Sequence, residues 1–136
     1  MYPDKERLMT MQGVLVADGD QGFRKKMADL FIEAGYSVTI TDSAATTLDG
    51  ILKKTAQVVV ISSELDNLNA GDLIPLLRKC NRDLTIILVS DDLSLPLIRK
   101  LRSEGIFYHA LKPVKPEDTE ELRQVVQCAF RNMKEQ

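Results

Sequence analysis

The residues of this chain that could handle a metal, a phosphoryl group or a proton stand at the ends of apolar runs. Asp18-Gly19-Asp20 closes Val14–Ala17, Ser62-Ser63 closes Val58–Ile61, Ser90 closes Thr85–Val89, and Lys112-Pro113 closes Ile106–Leu111. Two carboxylates one residue apart can share a hard cation such as Mg²⁺, which takes oxygen ligands. A lysine amine can neutralise charge on an anionic group, and a serine hydroxyl becomes a nucleophile only when a base activates it. His109 is the one histidine of the chain. A lone histidine is ordinarily structural, although its titration range also allows a pH response.

Other chemistry is poorly supported. Gly19-x-x-Gly22 is a fragment of a phosphate-cradling turn, but the full Gly-x-Gly-x-x-Gly is absent and the flanking acids would repel phosphate. Asp18–Gly22 also mimics the start of a calcium loop and lacks its remaining ligands. Ser62 and Ser63 have neither the Gly-x-Ser-x-Gly frame nor a base, so a serine hydrolase is not expected. The two cysteines, Cys80 and Cys128, form no Cys-x-x-Cys, and partly buried free thiols are expected.

These residues need elements to position them. The run Val58–Ile61 is four consecutive β-branched residues, the pattern of a strand buried on both faces of a parallel sheet. Thr85–Val89 reads the same way, and Val14–Ala17, Tyr36–Ile40 and Ile106–Leu111 complete five strands. Helical patterns alternate with them. Phe23, Met27, Leu30 and Phe31 form one face, stopped by Gly35, and Ala44, Leu48, Ile51 and Leu52 form a second behind a Ser43 cap. Leu73, Ile74, Leu76 and Leu77 form a third, capped by Asp72 with Pro75 in its first turn, after a loop from Ser63 to Gly71. Ser94 and Pro96 open a fourth helix through Leu97, Ile98 and Leu101. The last starts at Pro116 and carries Leu122, Val125, Val126, Ala129, Phe130 and Met133. Strict alternation predicts an α/β, doubly wound, five-stranded parallel sheet with five helices, flavodoxin-like, in strand order 2-1-3-4-5. In that order the carboxyl ends of strands one, three, four and five adjoin near the switch point. Asp18, Asp20, Ser62, Ser90 and Lys112 are expected to meet there.

With 136 residues, the chain suits one domain, expected over residues 13–134, after a loose N-terminal arm of residues 1–12. With 18 basic and 20 acidic residues the net charge is −2, so no phosphate-binding surface and no direct nucleic-acid contact is expected. No apolar run nears the ~20 residues of a membrane span, which predicts a cytoplasmic protein without membrane contact.

Taken together, Val14–Asp20, the strand-ending Ser90 and Leu111-Lys112-Pro113 resemble the receiver domain of bacterial two-component (phosphorelay) response regulators, over roughly residues 13–133. The resemblance implies phosphoryl transfer from a donor to an aspartate ending strand three, with acids after strand one holding Mg²⁺. A hydroxyl on strand four and a lysine on strand five would contact the phosphoryl oxygens. It also implies a cis Lys112-Pro113 bond and a switch role for Ser90 with His109, the counterpart of an aromatic shortly before the lysine.

The chain departs from that pattern in the acceptor position, which holds Ser62, and in the acid pair, where Gly19 replaces a carboxylate. Glu64 or Asp66 could substitute only by lying well beyond the strand end. Asp18 and Asp20 are expected to hold Mg²⁺ only weakly. A structural reading, with Asp20 near the first helix cap and Lys112 paired to Asp18, is favoured over strong metal binding. The expectation is a pseudo-receiver: a non-enzymatic signalling domain without a resident cofactor, acting through protein–protein contact with a partner or output domain. The fourth helix, fifth strand and fifth helix would supply the surface, with homodimerisation through Arg99, Lys100, Arg102, Arg123 and Arg131 against Glu104, Glu120 and Glu121. The competing expectations are a phosphorylatable receiver with a degenerate Mg²⁺ site and a flavodoxin-like small-cofactor protein.

Overall fold

The computed structural model describes residues 12–91, 94–112 and 115–134. In chain order the elements are β1 (Gly13–Ala17), α1 (Gln21–Glu33), β2 (Ser37–Thr41), α2 (Ala44–Leu52), β3 (Val58–Ser62), β4 (Glu64–Leu65), β5 (Leu68–Asn69), α3 (Ala70–Cys80), β6 (Thr85–Ser90), α4 (Leu95–Ser103), β7 (Tyr108–Leu111) and α5 (Pro116–Lys134). Five strands form one parallel sheet in the order β2-β1-β3-β6-β7, and β4 and β5 form a small antiparallel pair. This is the expected flavodoxin-like fold, with β6 and β7 as the fourth and fifth strands of the sheet.

The central strands are apolar because both of their faces are covered. Leu15, Val59, Ile61, Ile86 and Leu88 pack with Ile51 of α2, Leu73 and Leu77 of α3 and Leu101 of α4. Val14, Val16, Val58, Val60 and Ile87 pack on the other side with Met27 and Phe31 of α1 and Leu122 and Val126 of α5. Each such side chain removed from water contributes about 1.5–3 kcal/mol, so the run Val58–Ile61, at most 1% exposed, anchors the fold. Gly13 begins β1 where the chain passes the Thr55 carbonyl so closely that a built Cβ would stand 2.0 Å from that oxygen.

Several expectations are corrected. The stretch from Ser63 is not an open loop. It holds the β4–β5 hairpin, turned by Asp66 and Asn67 with φ of 55° and 64°. The cap of α3 is Asn69, whose side chain accepts from the Asp72 N–H, and Asp72 lies in the first turn. Pro75 therefore falls inside α3. It leaves the Gly71 carbonyl without its helical donor, and Lys100 Nζ from α4 approaches that oxygen at 3.5 Å. The second strand runs one residue later than predicted, and β7 starts at Tyr108 because Ile106 and Phe107 belong to the preceding turn. Leu52 and Leu76, placed on apolar faces by their spacing, are 61% and 47% exposed. Cys80 is half-buried and Cys128 exposed. The predicted arm lies outside the described residues except Gln12, whose carbonyl accepts from the Ser37 N–H.

Arg78 of α3 ties the far end of the sheet together. Its guanidinium donates to the carbonyls of Arg82 at 3.0 Å, Leu84 at 2.5 Å and Gly105 at 2.8 Å. Burial lowers its pKa, opposed by Asp83 and Glu104. Arg78→Ala strands these carbonyls and is expected to cost about 2 kcal/mol in urea unfolding, in line with charge-assisted bonds to partly buried groups. A loss under ~0.5 kcal/mol would show that water replaces the guanidinium.

Candidate functional site: a pocket at the strand ends

Register brings the chemistry-bearing residues together. Ala17 pairs with Ile61, Ser62 with Val89 and Ser90 with Leu111, so the carboxyl ends of β1, β3, β6 and β7 lie side by side. They open into a cavity of about 490 Å³ whose lining includes Asp18, Gly19, Ser62, Glu64, Ser90 and Lys112. Of the residues expected there, Asp18, Ser62, Ser90 and Lys112 converge. Asp20 does not join them, because its carboxylate caps α1 by accepting from the N–H groups of Gly22 at 2.9 Å and Phe23 at 3.3 Å. Pro113 lies outside the described residues.

Asp18 is 3% exposed and fully engaged. Its Oδ1 accepts from the Asp20 N–H at 2.9 Å, and its Oδ2 pairs with Lys112 Nζ at 2.5 Å. The same ammonium lies 4.5 Å from the centroid of the Phe23 ring, on its face, a favourable place for a cation. Lys112 is held on the pocket side by its N–H, which donates to the Ser90 carbonyl at 2.8 Å.

Ser62 ends β3 and is buried, and its Oγ donates 2.5 Å back to the Glu64 carbonyl. Of the two alternative carboxylates, Glu64 lines the cavity, whereas Asp66 points away and accepts from the Ala44 N–H at the start of α2. Ser90 is 1% exposed, and its Oγ lies 2.7 Å from His109 Nε2. His109 lies behind Ser90, outside the strand-end cavity. Burial and then the nearby Arg102 charge push its imidazole below the ordinary histidine pKa, which favours the neutral ring.

Reading the sequence missed Asn69 and Asp91 in the cavity lining. Asp91 was signalled only by its place just after the fourth apolar run, and Asn69, beyond the hairpin, by nothing in the spacing. At Gly19 a built Cβ would meet nothing within 4 Å, so packing does not demand a glycine there.

The sequence profile of the response regulator receiver domain matches residues 14–127. The chain belongs to that family. As a receiver of the two-component type it is a signalling module. The chain is 31% identical over 105 residues to the DNA-binding transcriptional regulator NtrC of Rhizobium meliloti (strain 1021), a match spanning 77% of this chain and 22% of that protein. It is 29% identical over 122 residues to NtrC of Azospirillum brasilense, covering 90% of this chain and 25% of that one. The receiver thus spans about a quarter of the length of these curated relatives. Among solved structures, the Francisella response regulator 1452 receiver domain superposes with a TM-score of 0.77 at 26% identity, covering 90% of this chain and 98% of the other. The receiver domain of an HD domain-containing protein from Pseudomonas fluorescens Pf-5 gives 0.82 at 20% identity, over 93% and 99%, and bears on the fold alone. Among the described residues no helix is long and apolar enough to cross a membrane.

Proposed function

We propose that this receiver works without phosphorylation of an aspartate, as a cytoplasmic protein-interaction module of a bacterial two-component pathway. The observation that carries the reading is the closed state of the pocket's own groups. Lys112, the cation that would meet a phosphoryl group, is spent on Asp18, and the hydroxyl at the end of β3 is spent on the Glu64 carbonyl. Ser62 has no hydrogen-bonded base that would make it a nucleophile.

The donor set does not fit magnesium. Asp18 is paired to a cation, Asp20 is turned to a helix cap, and Gly19 supplies no side-chain oxygen. Among the described residues no group of three or more His, Cys, Asp or Glu is placed to hold a metal ion.

The surface we assign to partners is α4–β7–α5. Leu95, Phe107 and Leu111 on or beside α4 and β7 are 67%, 41% and 60% exposed. Not all the charges on these elements remain for a partner, because Arg123 binds Glu120 within α5 and the Tyr108 hydroxyl donates to Glu121. Arg99 and Arg102 of α4 give the surface its basic side. One structural relative, similar at 18% identity, is described as a beryllofluoride-activated NtrC4 receiver domain dimer, which supports a second copy or an output domain as the partner class.

The test is treatment of the purified chain with acetyl phosphate, or with beryllofluoride and Mg²⁺, followed by intact mass and backbone amide shifts. No adduct and no shift at Ser62, Ser90 or Lys112 are expected. A stable phosphoryl mass, or shifts centred on those residues, would overturn the proposal.

A further inference from the structure

The two edges of the sheet are built differently. β7 carries Tyr108 and His109 and runs into Lys112. β2, at the other edge, reads Ser37-Val38-Thr39-Ile40-Thr41, with no charge, no proline and no bulge. Edge strands ordinarily carry such guards against pairing with another chain. We propose that β2 is a docking edge for a second copy of this chain, whose own β2 pairs with it antiparallel about a two-fold axis at Thr39. This edge lies across the sheet from α4–β7–α5 and does not depend on that surface.

The backbone sets the register. The Ser37 N–H donates to the Gln12 carbonyl at 2.9 Å, and the Thr41 carbonyl accepts from the Asp18 N–H at 3.0 Å. Backbone groups of a strand alternate between its two sides, so Ser37, Thr39 and Thr41 face β1. Val38 and Ile40 turn their N–H and carbonyl groups outward, and among the described residues no backbone group bonds to them. In an antiparallel ladder two residues directly opposite exchange both bonds. An axis at Thr39 sets Val38 of one copy opposite Ile40 of the other, so four hydrogen bonds form between groups that are free in the single chain. A slip of one residue would turn Thr39, already bonded to β1, into one of the partners. At the axis the two Thr39 side chains meet as a favourable cross-strand pair. Asp42, just past β2, does not oppose the pairing, because the two copies of it stand six residues of strand apart, ~20 Å.

The side chains agree with this axis. Tyr36 and Val38 pack on the α1 side of the sheet, so Ile40 points the same way, and it is 46% exposed. Ile32 of α1 is 58% exposed. At about 3.6 residues per turn, Ile32 and Glu33 lie on opposite flanks of the buried line through Met27 and Phe31. Glu33 is within electrostatic reach of Arg123 on α5, so Ile32 overhangs the β2 edge. The two-fold also reverses α1 beside its copy. Lys25 and Asp29 flank the midpoint of α1 as Val38 and Ile40 flank that of β2, so Lys25 of each copy is set toward Asp29 of the other. Neither is in an ion pair among the described residues. The seam is small, and the association is therefore reversible and concentration-dependent.

The experiment is sedimentation velocity together with backbone amide shifts on the full chain, over about a hundredfold range of protein concentration. The expected result is a monomer–dimer equilibrium in which the Val38 and Ile40 amides move with the dimer and those of α4, β7 and α5 stay in place. Thr39→Lys and Thr39→Glu each set like charges against each other at the axis. Each variant alone should weaken the association by about fivefold, the upper end of cross-strand pair energies. An equal mixture of the two should restore it, because opposite charges then face each other. Thr39 is exposed, so neither change threatens the fold. A chain that stays monomeric throughout the range overturns the proposal. So does a dimer that both Thr39 variants form as tightly as the parent, which would put the contact on another face such as α4–β7–α5. Val38 and Ile40 amides protected from exchange at every dilution would mean that another segment of the same chain covers the edge, and would overturn it as well.

Discussion

Replacing Lys112 by methionine is expected to lower the unfolding free energy by about 3 kcal/mol, the low end of what breaking a buried ion pair costs. The ammonium and the Asp18 carboxylate are 2.5 Å apart with side chains 17% and 4% exposed. Without the lysine, Asp18 keeps only the Asp20 N–H for a carboxylate that solvent cannot reach. The loss comes from that uncompensated charge more than from the attraction removed, so Asp18→Asn with Lys112→Met should recover most of it. Urea unfolding of the two single variants and the double decides the matter. A single-variant loss under ~1 kcal/mol would mean that water already reaches the pair, and the pocket would then be more open than described.

Gly13→Ala is expected to cost about 2–3 kcal/mol, the upper part of the range for overpacking. Alanine normally suits a strand better than glycine, so the sign here depends on one close approach. The added methyl would stand 2.0 Å from the Thr55 carbonyl oxygen and 3.1 Å from the Ala56 Cα, all backbone atoms that cannot rotate away. Nor is β1 free to retreat. Gly13 donates to Gln57 Oε1 at 2.8 Å, accepts from the Gln57 N–H at 3.0 Å, and opens a strand paired on both sides. A urea midpoint within error of the parent would show that the Thr55 turn yields.

The sheet was readable because its strands are continuous apolar runs. Val58–Ile61 and Ile86–Val89 are buried throughout, and no helical or surface pattern imitates them. The helices were readable from their 3.6-residue spacing and from Ser43 and Ser94, which both cap as expected. The β4–β5 hairpin was not, since two-residue strands carry no periodicity and Asp66-Asn67 lacks the glycine that usually announces positive φ at both turn positions. That omission displaced the start of α3 and with it the roles of Asp72 and Pro75. The same limit governed the pocket. Asp18, Ser62, Ser90 and Lys112 were reached by counting from strand ends, whereas Asn69 comes beside them only through the path of the hairpin. Asp20 shows the other limit: one carboxylate cannot cap a helix and aim at a cation with the same oxygen, and spacing does not tell which it does.

The segment leaving β3 is fastened at successive points. Ser62 Oγ holds the Glu64 carbonyl, the Ala70 N–H returns 2.8 Å to the Ser63 carbonyl, and Asp66 at the hairpin tip holds the Ala44 N–H of α2. Two of these ties close short local rings, and the third spans 22 residues. Opening the tip therefore strips the Ala44 N–H at the start of α2 of its acceptor, although Ser43 still caps that helix, and opening the base frees the Ala70 N–H at the start of α3. In landscape terms the exit of β3 belongs to the same cooperative unit as the sheet. A signal arriving at this end of the molecule would be transmitted as a shift of the whole α2–α3 side, with no local loop closure to absorb it.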